Sequence, residues 1–107
     1  MTDISKKTKK ILNELASQAY EKDLSRCLDV VYKHFQAWKA GEIEVWDVNQ
    51  AVHDYHDGIA RELYKTYCMN DPLFSVVFGV HQGLISIDDV PEEVRIDVER
   101  MASSIKK

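Results

Sequence analysis

Four glycines and two prolines in 107 residues are too few for the frequent tight turns of an all-β domain, which excludes hairpin-linked strands as the main architecture. Cysteine is scarce too. Cys27 and Cys68 are widely separated, so neither a disulfide framework nor a cysteine zinc motif is spelled out, and a reducing compartment is expected. Long apolar runs are absent; the longest, around residues 76–80, falls far short of the ~20 residues that span a bilayer. No apolar h-region follows the N-terminal lysines, so no signal peptide is expected and the chain reads as cytoplasmic, with no membrane association. There is also no glycine-rich loop to cradle a phosphate and no glycine elbow around a serine. Nucleophilic catalysis has no visible parts, and the chain is read as neither an enzyme nor a cofactor binder.

What is present is globular composition, 45% hydrophobic and 30% charged, in a length suited to a single domain over residues 1–107. A formal charge of -4 argues against broad attraction to phosphate backbones or anionic membranes. The charge is uneven. Lys6, Lys7, Lys9 and Lys10 make a basic start, whereas Asp88, Asp89, Glu92, Glu93, Asp97 and Glu99 make the last third acidic.

Over residues 5–40 the apolar positions Leu12, Ala16, Tyr20, Leu24, Cys27, Val31, Phe35 and Trp38 recur at intervals of three and four, the spacing of one helical face. Gly41 is a natural left-handed terminator, with Lys39 in the last turn. Such a helix would run ~50 Å at 1.5 Å per residue, longer than a globule of this size is wide. It must either break near residues 21–23, where acids interrupt the stripe, or project and bury its face against a second copy. A second helix starts between residues 44 and 47, with Asp47 and Gln50 as a capping box and Trp46 as a staple. Its expected inner face is Val48, Val52, Tyr55, Ile59 and Leu63. The short link at Gly41 makes the two helices antiparallel neighbours. Asp71 and Pro72 restart the chain as N-cap and first helical residue, Gly83 stops that short helix, and Pro91 opens a last one bearing Val94, Val98, Met101 and Ile105. The fold expected is all-α: a helical hairpin with a shorter helix and a C-terminal helix packed on it, four to five helices in all.

One polar cluster stands out, HDYHDGIAREL at residues 53–63. His53 and His56 are i,i+3 neighbours and His53 and Asp57 are i,i+4, so on a helix all three can address one ion. One helix supplies at most three ligands, and further ones would come from His34, His81, an acid elsewhere or a second subunit. The plainer reading places His56 at the edge of the apolar face, packed on Tyr67 or the other helix, and pairs Asp57 with Arg61. Gly58 in mid-helix costs ~1 kcal/mol against alanine, which suggests close approach of another backbone, either the first helix or a partner. Tyr32 and Tyr64 fall off the main stripes, and exposed aromatics beside Arg61 are what protein-binding patches are enriched in. An antiparallel hairpin sets Cys27 and Cys68 ~15 Å apart, too far for a disulfide, so both are expected to be core thiols.

Residues 41–67, GEIEVWDVNQAVHDYHDGIARELYKTY, resemble a family of short bacterial proteins of unassigned function, in which a Gly-x-Ile turn leads to a His-x-aromatic-His-x-Gly-x-x-Arg-Glu-Leu helix. That core corresponds to His53, Tyr55, His56, Gly58, Arg61, Glu62 and Leu63, and the NDP and VPEEV segments that follow are also similar to it. The likeness spans roughly the last 65 residues. It implies no activity, but it singles out the His–Arg stretch.

The functional expectation is a non-enzymatic protein–protein interaction or regulatory module, homodimeric, that binds through His53, His56, Asp57, Arg61 and Tyr64. One alternative is a metal-binding protein or metal-dependent hydrolase using His53, His56 and Asp57. The other is an antitoxin-like regulator that touches DNA with residues 1–10, an arrangement the acidic balance disfavours.

Overall fold

Helix α1 (Lys6–Lys39) begins with a cap built from two ends of the chain. The Ser5 hydroxyl accepts from the Thr8 N–H at 3.2 Å, as an N-cap should. Its first turn holds lysines and Thr8 but no acid, where a helix favours acids. Glu93, from the start of the last helix, makes up the deficit: its carboxylate accepts from the Ser5 N–H, the Ser5 hydroxyl and the Thr8 hydroxyl at 3.1, 2.9 and 2.6 Å. In this computed structural model, which describes residues 4–105, α1 then continues without a break for 34 residues. The interruption expected near residues 21–23 is absent because the intruding acid has partners. Asp23 is buried and accepts from the Tyr67 hydroxyl at 2.9 Å and from Arg26 at 3.0 Å. Gly41, at φ +78°, ends the helix in a Schellman motif, with Gly41 N–H to Trp38 C=O and Glu42 N–H to Ala37 C=O.

The return rod is α2 (Val45–Asp54), a single π turn (Tyr55–Ile59) and α3 (Ala60–Cys68). Its cap lies three residues earlier than expected. Glu44 is the N-cap and its N–H donates to the Asp47 carboxylate at 2.9 Å, while Trp46 is 77% exposed and staples nothing. Asp71 caps α4 (Pro72–His81) through the Leu73 N–H at 2.9 Å, and Gly83 closes it as Gly41 closes α1. One 3-10 turn leads into α5 (Glu92–Ser104). The architecture is all-α, four rods with no strand among the described residues, and no described helix is long and apolar enough to cross a membrane.

The core sits at one end. The first half of α1 packs on α4, α4 on α5, and α3 closes the side, around Leu12, Val76, Val90 and Val98 at 0–2% exposure. Gly79 lets α1 and α4 approach: a β-carbon there would stand 3.1 Å from Ala19 Cβ and 2.5 Å from the end of Ile85. Gly58, the glycine expected to serve a close approach, has nothing within 4 Å of its missing side chain. Beyond this core the hairpin projects. The molecule measures 55 × 23 × 21 Å with a radius of gyration of 17.1 Å, against ~13 Å for a compact chain of this length.

Candidate functional site

The projecting arm is the part of the molecule that packing leaves unfinished. Between Leu24 and Glu62 the one buried residue is Val48. Eight of the twelve large hydrophobic residues left exposed lie in that stretch: Leu28, Val30, Tyr32, Phe35, Val45, Trp46, Val52 and Ile59. The arm therefore combines long helices with almost no core of its own.

The π turn decides which residues of the second helix look inward. At ~100° per residue, an uninterrupted helix would spread Val48, Tyr55, Ala60, Leu63 and Tyr67 over ~140° of its circumference. A π turn adds one residue to the helix, and removing one step from the count draws the five into ~60°. These are residues the structure buries or half-buries against α1. Val52 and Ile59, expected on the inner face, are instead 40% and 45% exposed.

The polar cluster lies on this turn. His53 Nε2 and the Asp57 carboxylate stand 3.0 Å apart on the surface, and Gln50 donates to Asp54 at 2.7 Å. Asp57 thus pairs with His53 rather than with Arg61, which is exposed. His56 is exposed as well and does not pack on Tyr67, whose ring stacks on Tyr20 at 5.5 Å and meets Phe78 edge-on at 5.9 Å. His53, His56, Asn49, Gln50 and Val52 line an open groove of about 510 Å³. His34 is occupied with the Val30 carbonyl at 2.9 Å, and His81 belongs to a separate depression beside Ile87 and Glu99. No three His, Cys, Asp or Glu side chains among the described residues are placed to share an ion. Tyr32 and Tyr64 are 60% and 54% exposed, as their positions off the stripes predict.

Both cysteines are free. Cys27 lies half-buried in the hairpin seam, where burial and the nearby Asp23 charge push its thiol up, against a smaller opposing effect of Arg26. Cys68 is exposed rather than in the core. Burial is also the main reason the Tyr20 and Tyr55 phenols are raised. The exposed lysines of the first α1 turns face solvent, and residues 1–3 of the basic arm lie outside the described residues. Comparison with known proteins finds no matching family model, no matching curated protein and no matching solved structure.

Proposed function

We propose that this chain is a non-enzymatic protein–protein interaction module that works as a homodimer, with the core end as a pedestal and the hairpin arm as its docking element. The observation that carries the reading is the lone buried residue, Val48, between Leu24 and Glu62. Isolated helices gain most of their stability in proteins by packing an apolar face, and this arm offers its apolar residues to solvent. A partner completes it. Exposed Tyr64 and Arg61, with His53, His56 and Asp57 along the same rod, have the amphipathic character of contact residues. Light scattering on the purified chain at tens of micromolar tests the proposal: a dimer is expected, and a monomer throughout that range would overturn it.

A further inference from the structure

We infer that the partner covering the arm is a second copy of this chain, and that it seats on one particular side of the hairpin, the side opposite α4; the inference rests on the interaction reading above and adds the surface.

The assignment comes from helix geometry. In α1 the face turned to the return rod is marked by Tyr20 and Asp23, which touch Tyr67, and by Cys27 in the seam. Counting ~100° per residue along the chain, Ala19, which meets Gly79 of α4, lies ~80° before Cys27. Leu24, Leu28 and Phe35 lie ~60–100° after it. On the return rod, Val45, Val52 and, once the π turn is counted, Tyr64 likewise lie ~40–60° after Val48. Because the two helices run antiparallel, the same sense of rotation carries both stripes to the same side of the hairpin. α4 occupies the other side. The flank bearing Leu28, Phe35, Val52 and Tyr64 is therefore bare from the base of the arm to its tip.

Three features select a second copy as its occupant. The first is area. Leu28, Phe35, Val45, Val52 and Tyr64 are 39–54% exposed; at ~150–250 Å² for a large side chain they present roughly 400 Å². Exposed Asn49 and His56 and the partly buried Leu24 and Val31 extend the face toward the ~800 Å² that each partner gives to a stable interface. The second is charge. In a chain that is 30% charged, the stripes Leu24–Leu28–Val31–Phe35 and Val45–Asn49–Val52–His56–Tyr64 contain no Asp, Glu, Lys or Arg. A two-fold interface sets a patch against itself, so a charged stripe would repel its own copy and an uncharged one does not. The third is shape. The bare flank is a two-helix layer, and two such layers face to face make a four-helix bundle with every neighbour antiparallel.

The test compares lysine substitutions of exposed apolar residues on the two sides. Phe35→Lys and Val52→Lys, at 39% and 40% exposure, fall on the proposed interface; Val30→Lys and Ile59→Lys, at 54% and 45%, fall on the opposite side. By sedimentation velocity, each interface variant is expected to weaken the dimer about 100-fold or more, with helical content by circular dichroism unchanged, while the opposite pair stays dimeric. If the parent is dimeric and the interface variants remain so, the assignment of the face is overturned while the interaction reading stands. A monomeric parent overturns both. Should the lysine variants lose helix, Leu28→Cys in a Cys27→Ala, Cys68→Ala background replaces them: its thiol is expected to react with a maleimide several-fold faster after dilution below the dimer range, and an unchanged rate refutes the face.

Discussion

Removing one hydroxyl from the base of the arm tests whether a charge is held there by design of the packing. Tyr67 is 7% exposed and Asp23 4%, and their 2.9 Å hydrogen bond joins α3 to α1 where the arm leaves the core. Tyr67→Phe keeps the ring against Tyr20 and Phe78, so the change isolates the hydroxyl. Asp23 would retain Arg26, but that side chain is 54% exposed, and a partner that samples solvent offsets little of the carboxylate's burial. A hydrogen bond to a charged acceptor contributes ~1.5–3 kcal/mol. A loss of ~2 kcal/mol corresponds to a melting temperature lower by roughly 10 °C in a domain of this size. Thermal and urea unfolding followed by far-ultraviolet circular dichroism measure it. Asp23→Asn and the double variant complete a cycle, in which a coupling of ~1 kcal/mol or more is expected between the two positions.

The same pair has an alkaline signature. Burial above all, then the hydrogen bond and charge of Asp23, push the Tyr67 phenol well above its ordinary range. Unfolded tyrosine ionises near ~10, so above that pH the unfolded chain releases a proton the folded one retains. Stability from this group is constant below pH ~10 and falls as pH rises beyond it. Tyr67→Phe should flatten that alkaline decline, although Tyr20 and Tyr55, raised mainly by burial, will leave part of it. A Phe variant within ~0.5 kcal/mol of the parent, with an unchanged alkaline slope, would refute the reasoning, because the hydroxyl would then be exchangeable for water.

Glu93 supplies the acid counterpart. The Thr8 hydroxyl first, then the Ser5 N–H and hydroxyl, hold its carboxyl below the usual range, so its contribution is present above the unfolded value and is lost as pH falls through the lowered one; Glu93→Gln should flatten the acid limb of melting temperature against pH. The two glycines of contrasting surroundings predict opposite signs. Gly58→Ala meets open space and should raise monomer stability by ~0.5–1 kcal/mol, whereas Gly79→Ala must displace Ile85 and press on Ala19, lowering stability by ~1 kcal/mol or more in urea unfolding. Added Zn²⁺, Mn²⁺ or Fe²⁺ should leave the melting temperature of the untagged chain unchanged, since His53 already faces Asp57 and no third donor joins them among the described residues; a rise that grows with metal concentration would restore the metal reading.

Where the signals were local, the sequence was readable. Gly41, Gly83, Asp71 with Pro72, and Ser86 each do what their residue type dictates, because φ near +77° or a side-chain acceptor beside free N–H groups has one short-range solution. The antiparallel hairpin followed from the short link at Gly41, five residues between Lys39 and Val45. Two things were illegible for a tertiary reason. α1 buries a second face, Leu15 and Ala19, because α4 lands there, and a single-stripe reading has no means of knowing that a helix serves two neighbours. Asp23 reads as an interruption until its partner, 44 residues away, is in view. Within the cluster, the i,i+4 approach of His53 and Asp57 was legible; the exposure of His56 and the separation of Asp57 from Arg61 were not, because periodicity counting assumes 3.6 residues in every turn.

That assumption fails at one place, and the failure itself can be tested. If the π turn is one residue inserted into an otherwise regular helix, then deleting Gly58 should leave Val48, Tyr55, Leu63 and Tyr67 on the same ~60° face. It would also remove a mid-helix glycine, worth ~1 kcal/mol against alanine. The single deletion should therefore melt at or above the parent, keep the Tyr67–Asp23 bond and flatten the groove that His53 and His56 line. Deleting Asp57 and Gly58 together should over-rotate α3 by ~100°, turning Leu63 and Tyr67, 8% and 7% exposed, away from the core. Loss of two such side chains costs several kcal/mol, by analogy with ~2–5 for one large-to-small core change. Equal melting of the two deletions would show that α3 is held by something other than register. A single deletion that unfolds the chain would show that the π turn is required by the fold rather than tolerated by it. The expected asymmetry would leave the turn with no structural purpose in the monomer. The benefit of keeping it would then lie in what it does to the surface, turning Ile59 out of the seam, where it is 45% exposed.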